Sequence, residues 1–391
     1  MRLIYTLFFL VLFQFSGAQN EWKHSEITYT DALIQSKKEN KPIFIMLYAT
    51  WCPHCNVMKS TVFSDPKVMD FLDKNYISVW KDIEKEEGRK LKEQYQTKGL
   101  PAFIFIDSDE TVLYSIKGEI KTDFFMYEAK NALNPLLQLP YLEKQFLADP
   151  SNANKCLAYI QTLRKGADRA RLSEPTHLYL ATQTDQQLAS ETNWRIIANG
   201  VSDIESREFK YVLTHKKDFE NATSPARVER KIINIVSELL EPQTTSLDSI
   251  TYFKNRAIAK TITLQTIDSL IFSYDLTLAE RSENWGLYKR TTLNDTQKYV
   301  WNIDSKLKEI GQVYLKEIED VSALNKAIDW AQRAIELNYS SDGNLLLSRL
   351  YLKINDKKSA EAYAQNARDI AVEMDWSTKE ADDLLKEIKA V

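Results

Sequence analysis

The chain has 391 residues, 44% hydrophobic and 27% charged, so it can bury a sizeable core and is long enough for two or three domains. A net charge of -4 offers no basic footprint for nucleic acid, and 3 Cys are too few for a disulfide scaffold or a four-cysteine zinc site. With only 9 Gly and 10 Pro, the composition argues against a turn-rich all-β architecture and for helices.

The first 18 residues read as a secretory signal peptide. Arg2 precedes an uncharged apolar stretch from Leu3 to Phe15, and Ser16-Gly17-Ala18 supplies the small residues of a cleavage site. That stretch is shorter than the ~20 residues a membrane-spanning helix needs. The expectation is a soluble, extracytoplasmic or periplasmic protein in an oxidising compartment.

Strand and helix patterns alternate from Thr28 to Leu133. Thr30 to Glu39 is a short helix ended by Asn40 and Pro42. Ile43 to Tyr48 (IFIMLY) is a continuous apolar run, expected to be buried on both faces of a sheet. A helix follows from Cys52, and Ser64-Asp65-Pro66 caps another through Lys74. Tyr76 to Trp80 reads as a strand and Glu84 to Tyr95 as a helix, with the charged run Asp82 to Glu93 as a solvated helix face. Ala102 to Ile106 (AFIFI) is a second buried strand, Thr111 to Ile116 pairs beside it after a turn, and Lys121 to Leu133 closes with a helix. These elements predict one α/β domain over 19–134.

From Pro135 to the C-terminus apolar residues recur mostly at helical spacing, as in Ile232, Ile233, Ile235, Val236, Leu239 and Leu240. Within this expected all-α domain, Ala327, Ala331 and Ala334 return as Ala360, Ala364 and Ala367. Small residues so spaced let a neighbouring helix approach closely. With Leu347-Ser348 and Tyr351 ahead of the second copy, residues 315–372 resemble a tetratricopeptide repeat. Ala331 and Ala364 stand where that family usually has an aromatic, and Tyr339 where Pro is common.

Chemistry concentrates at Trp51-Cys52-Pro53-His54-Cys55, between a buried strand and a helix. A cysteine at a helix N-terminus faces unpaired N–H groups and the positive end of the dipole, which favours its thiolate, so Cys52 is the expected nucleophile. Cys55, one turn along the same face, is the expected resolving thiol. Pro53 fits the first turn because its missing N–H would have no partner there, and a protonated His54 would stabilise the thiolate further. Half a zinc site and a purely structural disulfide are the competing readings of the pair. The remaining Cys156, in a helix from Asn152 to Leu163, reads as a small buried hydrophobe, and His24, His177 and His215 have no partner spacing. No metal or cofactor is implied.

The order strand, Trp-Cys-x-x-Cys, helix, then Gly99-Leu100-Pro101 entering AFIFI, resembles the thioredoxin-like family. LYATWCPHC, TVFSDPKV and GLPAFIFID resemble in particular the C-terminal thioredoxin-like domain of the bacterial thiol:disulfide interchange protein, whereas Pro53-His54 resembles the periplasmic disulfide oxidants. The resemblance implies a thiol:disulfide oxidoreductase acting on protein thiols or disulfides, with Pro101 as a cis-proline and an apolar rim of Trp51, Leu100 and Pro101 for an extended substrate. It also implies a membrane redox partner, while the helical domain suits a protein partner. Two family carboxylates are replaced here, by Met46 six residues before Cys52 and by Lys59 four residues after Cys55. Their loss should slow deprotonation of Cys55, while Lys59 and His54 should favour a dithiolate and a more oxidising pair. The direction of exchange, oxidase, isomerase or reductase, stays open. The alternative is a helical-repeat interaction scaffold whose thioredoxin-like domain holds clients without turnover.

Overall fold

A computed structural model describes residues 27–166 and 170–390. The signal-peptide reading of 1–18 and His24 lie outside these residues.

Helix α1 (Tyr29–Glu39) is opened by the Thr28 hydroxyl, which accepts the Asp31 N–H, and ends at Asn40 in the left-handed region. It leads into β1 (Ile43–Tyr48), followed by α2 (Pro53–Thr61) and α3 (Pro66–Asn75), both with Pro in the first turn. Then come β2 (Ile77–Asp82), α4 (Glu86–Gln94), β3 (Ala102–Ile106), β4 (Val112–Lys117) and α5 (Thr122–Ala132). The sheet order is β2-β1-β3-β4, with β2 parallel to β1 and the other pairs antiparallel. The Asp107 carboxylate accepts the Asp109 and Thr111 N–H groups and so shapes the turn between β3 and β4.

Period-two alternation along β1 explains the two cores. Phe44 and Met46 point into a layer with Met58, Phe63, Trp80, Phe103, Phe105 and Phe125. Ile43, Ile45 and Leu47 point the other way, to a layer that includes Ala32, Ile77, Val79, Leu91, Ile104 and both cysteines of the pair. Helices cover both faces, which is why β1 and β3 read as unbroken apolar runs.

Strand β2 is shifted from its expected span. It starts at Ile77 and continues to Asp82, in register with Tyr48. Asp82 therefore belongs to the end of the parallel β1–β2 pair, on the edge strand, is 7% exposed, and is not part of a solvated helix face as the charge run suggested. Lys81 is also buried and is satisfied by the Glu87 carboxylate at 2.7 Å and the Ile27 carbonyl at 2.7 Å. Gly88 in α4 packs so tightly that a Cβ there would fall 2.1 Å from the Asp82 carbonyl oxygen.

By its internal contacts the chain divides into two units, one through Pro225 and one from Ala226. The first unit holds the sheet and further helices, beginning with α6 (Leu139–Leu147), α7 (Ala153–Lys165) and α8 (Ala170–Leu180). Lys165 at the end of α7 donates to the Glu128 carboxylate at 2.9 Å and to the Tyr114 hydroxyl, which itself donates to Glu128. Glu128 is 1% exposed, so a polar cluster ties β4, α5 and α7 together.

The second unit is helical throughout its regular elements. The long helix Pro225–Ser246 buries Val228, Ile232, Ile235, Val236 and Leu240 along one face. Arg256 grips Asp275 through Nε at 2.6 Å and Nη2 at 2.5 Å, and Tyr252 adds a hydrogen bond of 2.7 Å. Near the C-terminus the helices Val321–Leu337 and Lys357–Glu373 bury both alanine triplets. The intervening helix Ser341–Lys353 comes close enough for Ser348 to donate to the Ala360 carbonyl at 2.7 Å.

Candidate redox site

Cys52 is the N-cap of α2. Its backbone is extended, its sulfur accepts the Cys55 N–H at 3.3 Å, and Pro53 follows in the first turn. The helix end thus directs both a backbone donor and the positive end of its dipole at this sulfur. Cys55 sits one turn on and is 0% exposed. Burial pushes its thiol up to about 12, with the hydrogen bond to Cys52 as the next cause.

The expectation that Lys59 and His54 favour a dithiolate does not hold for Cys55. Desolvation outweighs the attraction of Lys59, which only partly offsets the rise. His54 lies on the solvent side of α2, where its Nδ1 is 2.8 Å from the Glu119 carboxylate. Lys59 turns inward, with its ammonium 3.3 Å from the centre of the Tyr48 ring. Burial is the main cause that holds its pKa below the ordinary lysine value.

Trp51 is 65% exposed, and its indole N–H reaches the Glu84 carboxylate at 3.4 Å. The Leu100–Pro101 peptide is cis. Leu100 is half-buried, but Pro101 is buried, with its carbonyl accepting the Gly118 N–H at 2.8 Å. Pro101 therefore lies beneath the surface and is not part of the exposed rim, because the chain turns inward there to start β3. Cys156 is fully buried in α7, and burial pushes its thiol up to about 12. His177 and His215 are exposed, the latter stacked on Tyr211.

Sequence reading missed Tyr48, Asp82 and Glu119 as neighbours of the pair. Tyr48 and Asp82 meet by strand register, and Glu119 reaches His54 across 65 residues. No local pattern signals either contact.

A four-stranded mixed sheet with helices on both faces, a Cys-x-x-Cys pair capping a helix and a cis-proline after it define the thioredoxin-like class of domain. Residues 29–129 match the family described as Thioredoxin-like domain, and this part of the chain is such a domain. Over 98 residues it is 29% identical to the thiol:disulfide interchange protein DsbD of Pseudomonas fluorescens, a match covering 24% of this chain and 17% of that relative. Over 107 residues it is 25% identical to the disulfide bond reductase DsbH of Chlamydia pneumoniae, covering 24% and 60% of the two chains. Among solved structures, the oxidised C-terminal domain of Neisseria meningitidis DsbD matches at 23% identity with a TM-score of 0.24, covering 26% of this chain and 91% of that one. The chain thus spans less than two thirds of the length of these two relatives. Among the described residues, no helix is long and apolar enough to cross a membrane.

Proposed function

We propose that the protein is a thiol:disulfide oxidoreductase acting on protein cysteines through Cys52 and Cys55. One observation carries this reading: the Cys52 sulfur caps α2 while Cys55 is buried one turn behind it. The pair is then unequal, with one sulfur supported by the helix end and the other held as a thiol until needed. Cys52 attacks a substrate disulfide, or in the oxidised form is attacked by a substrate thiolate, and Cys55 resolves the mixed disulfide. Trp51 and Leu100 supply the apolar contact for an extended substrate, and Pro53 and Pro101 shape the backbone around the pair. The names of the DsbD and DsbH relatives support exchange chemistry in general. We read the setting as extracytoplasmic from the apolar stretch Leu3 to Phe15, with a membrane redox partner, and cell fractionation checks it.

The helical segment 135–391, with its repeat-like part at 315–372, serves in this reading as a partner-binding surface attached to a catalytic head over 19–134. A groove of about 550 Å³ in the second unit, lined in part by Phe272, Leu276, Tyr288 and Ile310, is the surface that the alternative, an interaction scaffold without turnover, would use. Insulin reduction with dithiothreitol, and reoxidation of a reduced test protein, separate the two. If neither rate exceeds that of the Cys52→Ala, Cys55→Ala double variant, the enzyme reading fails and the scaffold stands.

A further inference from the structure

We infer that the protein selects polypeptide clients with acidic residues beside the exchanged cysteine, through a basic cleft on α4 next to the redox site. This deepens the exchange activity proposed above and rests on it. The cleft is shallow, about 380 Å³, and lies between α4 and the loop that leads from it toward β3. Its lining is Arg89, Lys92, Glu93, Gln96, Thr97 and Lys98, three cations against one acid. Gln96 adopts a left-handed backbone, its N–H donates to the Glu93 carbonyl at 3.1 Å, and the Thr97 N–H donates to the Lys92 carbonyl at 2.9 Å. The loop thus folds back on α4, which is why Lys92 and Lys98, six residues apart, share one cleft.

The neighbouring acids of the same charged run are committed elsewhere. Glu86 holds Lys90 at 2.7 Å, Glu87 holds Lys81 at 2.7 Å, and the Glu84 carboxylate accepts the Trp51 indole N–H. Arg89 donates to the Glu84 backbone carbonyl at 3.1 Å, a neutral acceptor that fixes the guanidinium without cancelling its charge. Among the described residues, no ion pair takes up Lys92 or Lys98. The surplus of positive charge is therefore left for a ligand from outside.

Position makes the client polypeptide that ligand. Lys98 stands two residues before Leu100 and three before the cis-Pro101, and Arg89 is joined through Glu84 to Trp51. These are the residues on which an extended client rests. Such a chain rises about 3.3 Å per residue, so positions a few residues from its cysteine pass over the three cations. A concave surface of one sign focuses its field and speeds the encounter with opposite charge. At physiological salt that field fades over about 8 Å, so it acts on what is docked at the site and not on the client as a whole. Acidic flanks are drawn in, basic flanks are repelled, and neutral ones meet only the apolar rim.

Three short peptides, identical except for Glu, Gln or Lys flanking a central cysteine held as its mixed disulfide with 2-thiopyridine, provide the test. The Cys52 thiolate of the reduced full-length protein attacks the peptide sulfur, and 2-thiopyridone leaves with the bonding pair and is read by its absorbance. At low salt the Glu peptide should react about tenfold faster than the Gln peptide and the Lys peptide slowest, with the spread shrinking to about twofold near 0.5 M salt. In the double variant Lys92→Gln, Lys98→Gln the ratio of the Glu to the Gln peptide should fall to about one. In Lys92→Glu, Lys98→Glu the order should reverse, an outcome that a misfolded protein does not produce. A wild type indifferent to peptide charge, or an acidic preference undiminished in both variants, would overturn the inference and leave the exchange activity intact. Release no faster than in the Cys52→Ala, Cys55→Ala double variant, from every peptide and from neutral 2,2′-dithiodipyridine, would show that the exchange activity itself is wrong, and the inference falls with it.

Discussion

The backbone N–H of Cys55 points at the sulfur of Cys52, 3.3 Å away, so one cysteine caps the helix that carries the other. The contact makes two chemically similar thiols unequal. Cys52 meets a helix N-terminus, and Cys55 is sealed inside with its pKa pushed up to about 12.

Alkylation should expose that inequality. With iodoacetamide at neutral pH, peptide mass spectrometry should find Cys52 modified well before Cys55, and Cys156 protected with Cys55. Cys55 should become reactive in the folded protein only as pH climbs toward about 12. Modification of Cys55 first at neutral pH would contradict the asymmetry.

Stability should fall on the alkaline side. Cys55 and Cys156 are both held at about 12 in the fold, above the ~8.5 of an unfolded thiol. The folded state then keeps protons that the unfolded chain gives up, so this contribution is whole below about pH 8.5 and is lost as pH rises through about 12. Urea midpoints measured across that window should decline, and in Cys156→Ala, lower at the start because of a small cavity, the decline should be shallower. A midpoint independent of pH there would refute the linkage.

Glu119 should tune the pair without holding the fold together. Both partners of the His54–Glu119 contact are largely exposed, so Glu119→Gln should change stability by no more than about 0.5 kcal/mol. Glu119→Gln removes a negative charge from beside the helix turn that carries the pair, and its loss favours the thiolate and so the reduced pair. The reduction potential should move to less negative values, by roughly 10–30 mV in a glutathione titration. A shift to more negative values would reverse the assigned role.

The cluster of Tyr114, Glu128 and Lys165 should matter for stability instead. Glu128→Ala leaves a buried hydroxyl and a partly buried ammonium without their shared acceptor, at a cost of about 2–3 kcal/mol. Tyr114→Phe removes the hydroxyl's two hydrogen bonds but leaves Lys165 paired with Glu128, and should cost less, about 1–2 kcal/mol. Urea unfolding of the two variants checks the order, and equal effects would mean that Glu128 is not the centre of the cluster.

Local chemistry was readable along the chain because it depends on neighbours in sequence. The apolar runs Ile43 to Tyr48 and Ala102 to Ile106 announced the buried strands, and Asp65-Pro66 announced α3. Cys52 before Pro53 announced a helix start, since a cap and its first turn occupy adjacent positions. Asp82 was misread because its charge matched the run that follows it, while its burial comes from pairing with Tyr48 in another strand. Pro101 was misplaced on the rim for a similar reason: its depth depends on how β3 enters the sheet.

Spacing along the chain shows that two cysteines one turn apart open a helix in an α/β domain, and the family resemblance adds that Met46 and Lys59 stand where relatives carry carboxylates. How those thiols are tuned follows from the fold. Desolvation, strand register and contacts over long separations set the proton affinity of Cys55, drew Lys59 over Tyr48 and turned His54 toward Glu119. Such terms depend on what is packed around a group in space, which spacing along one chain does not encode.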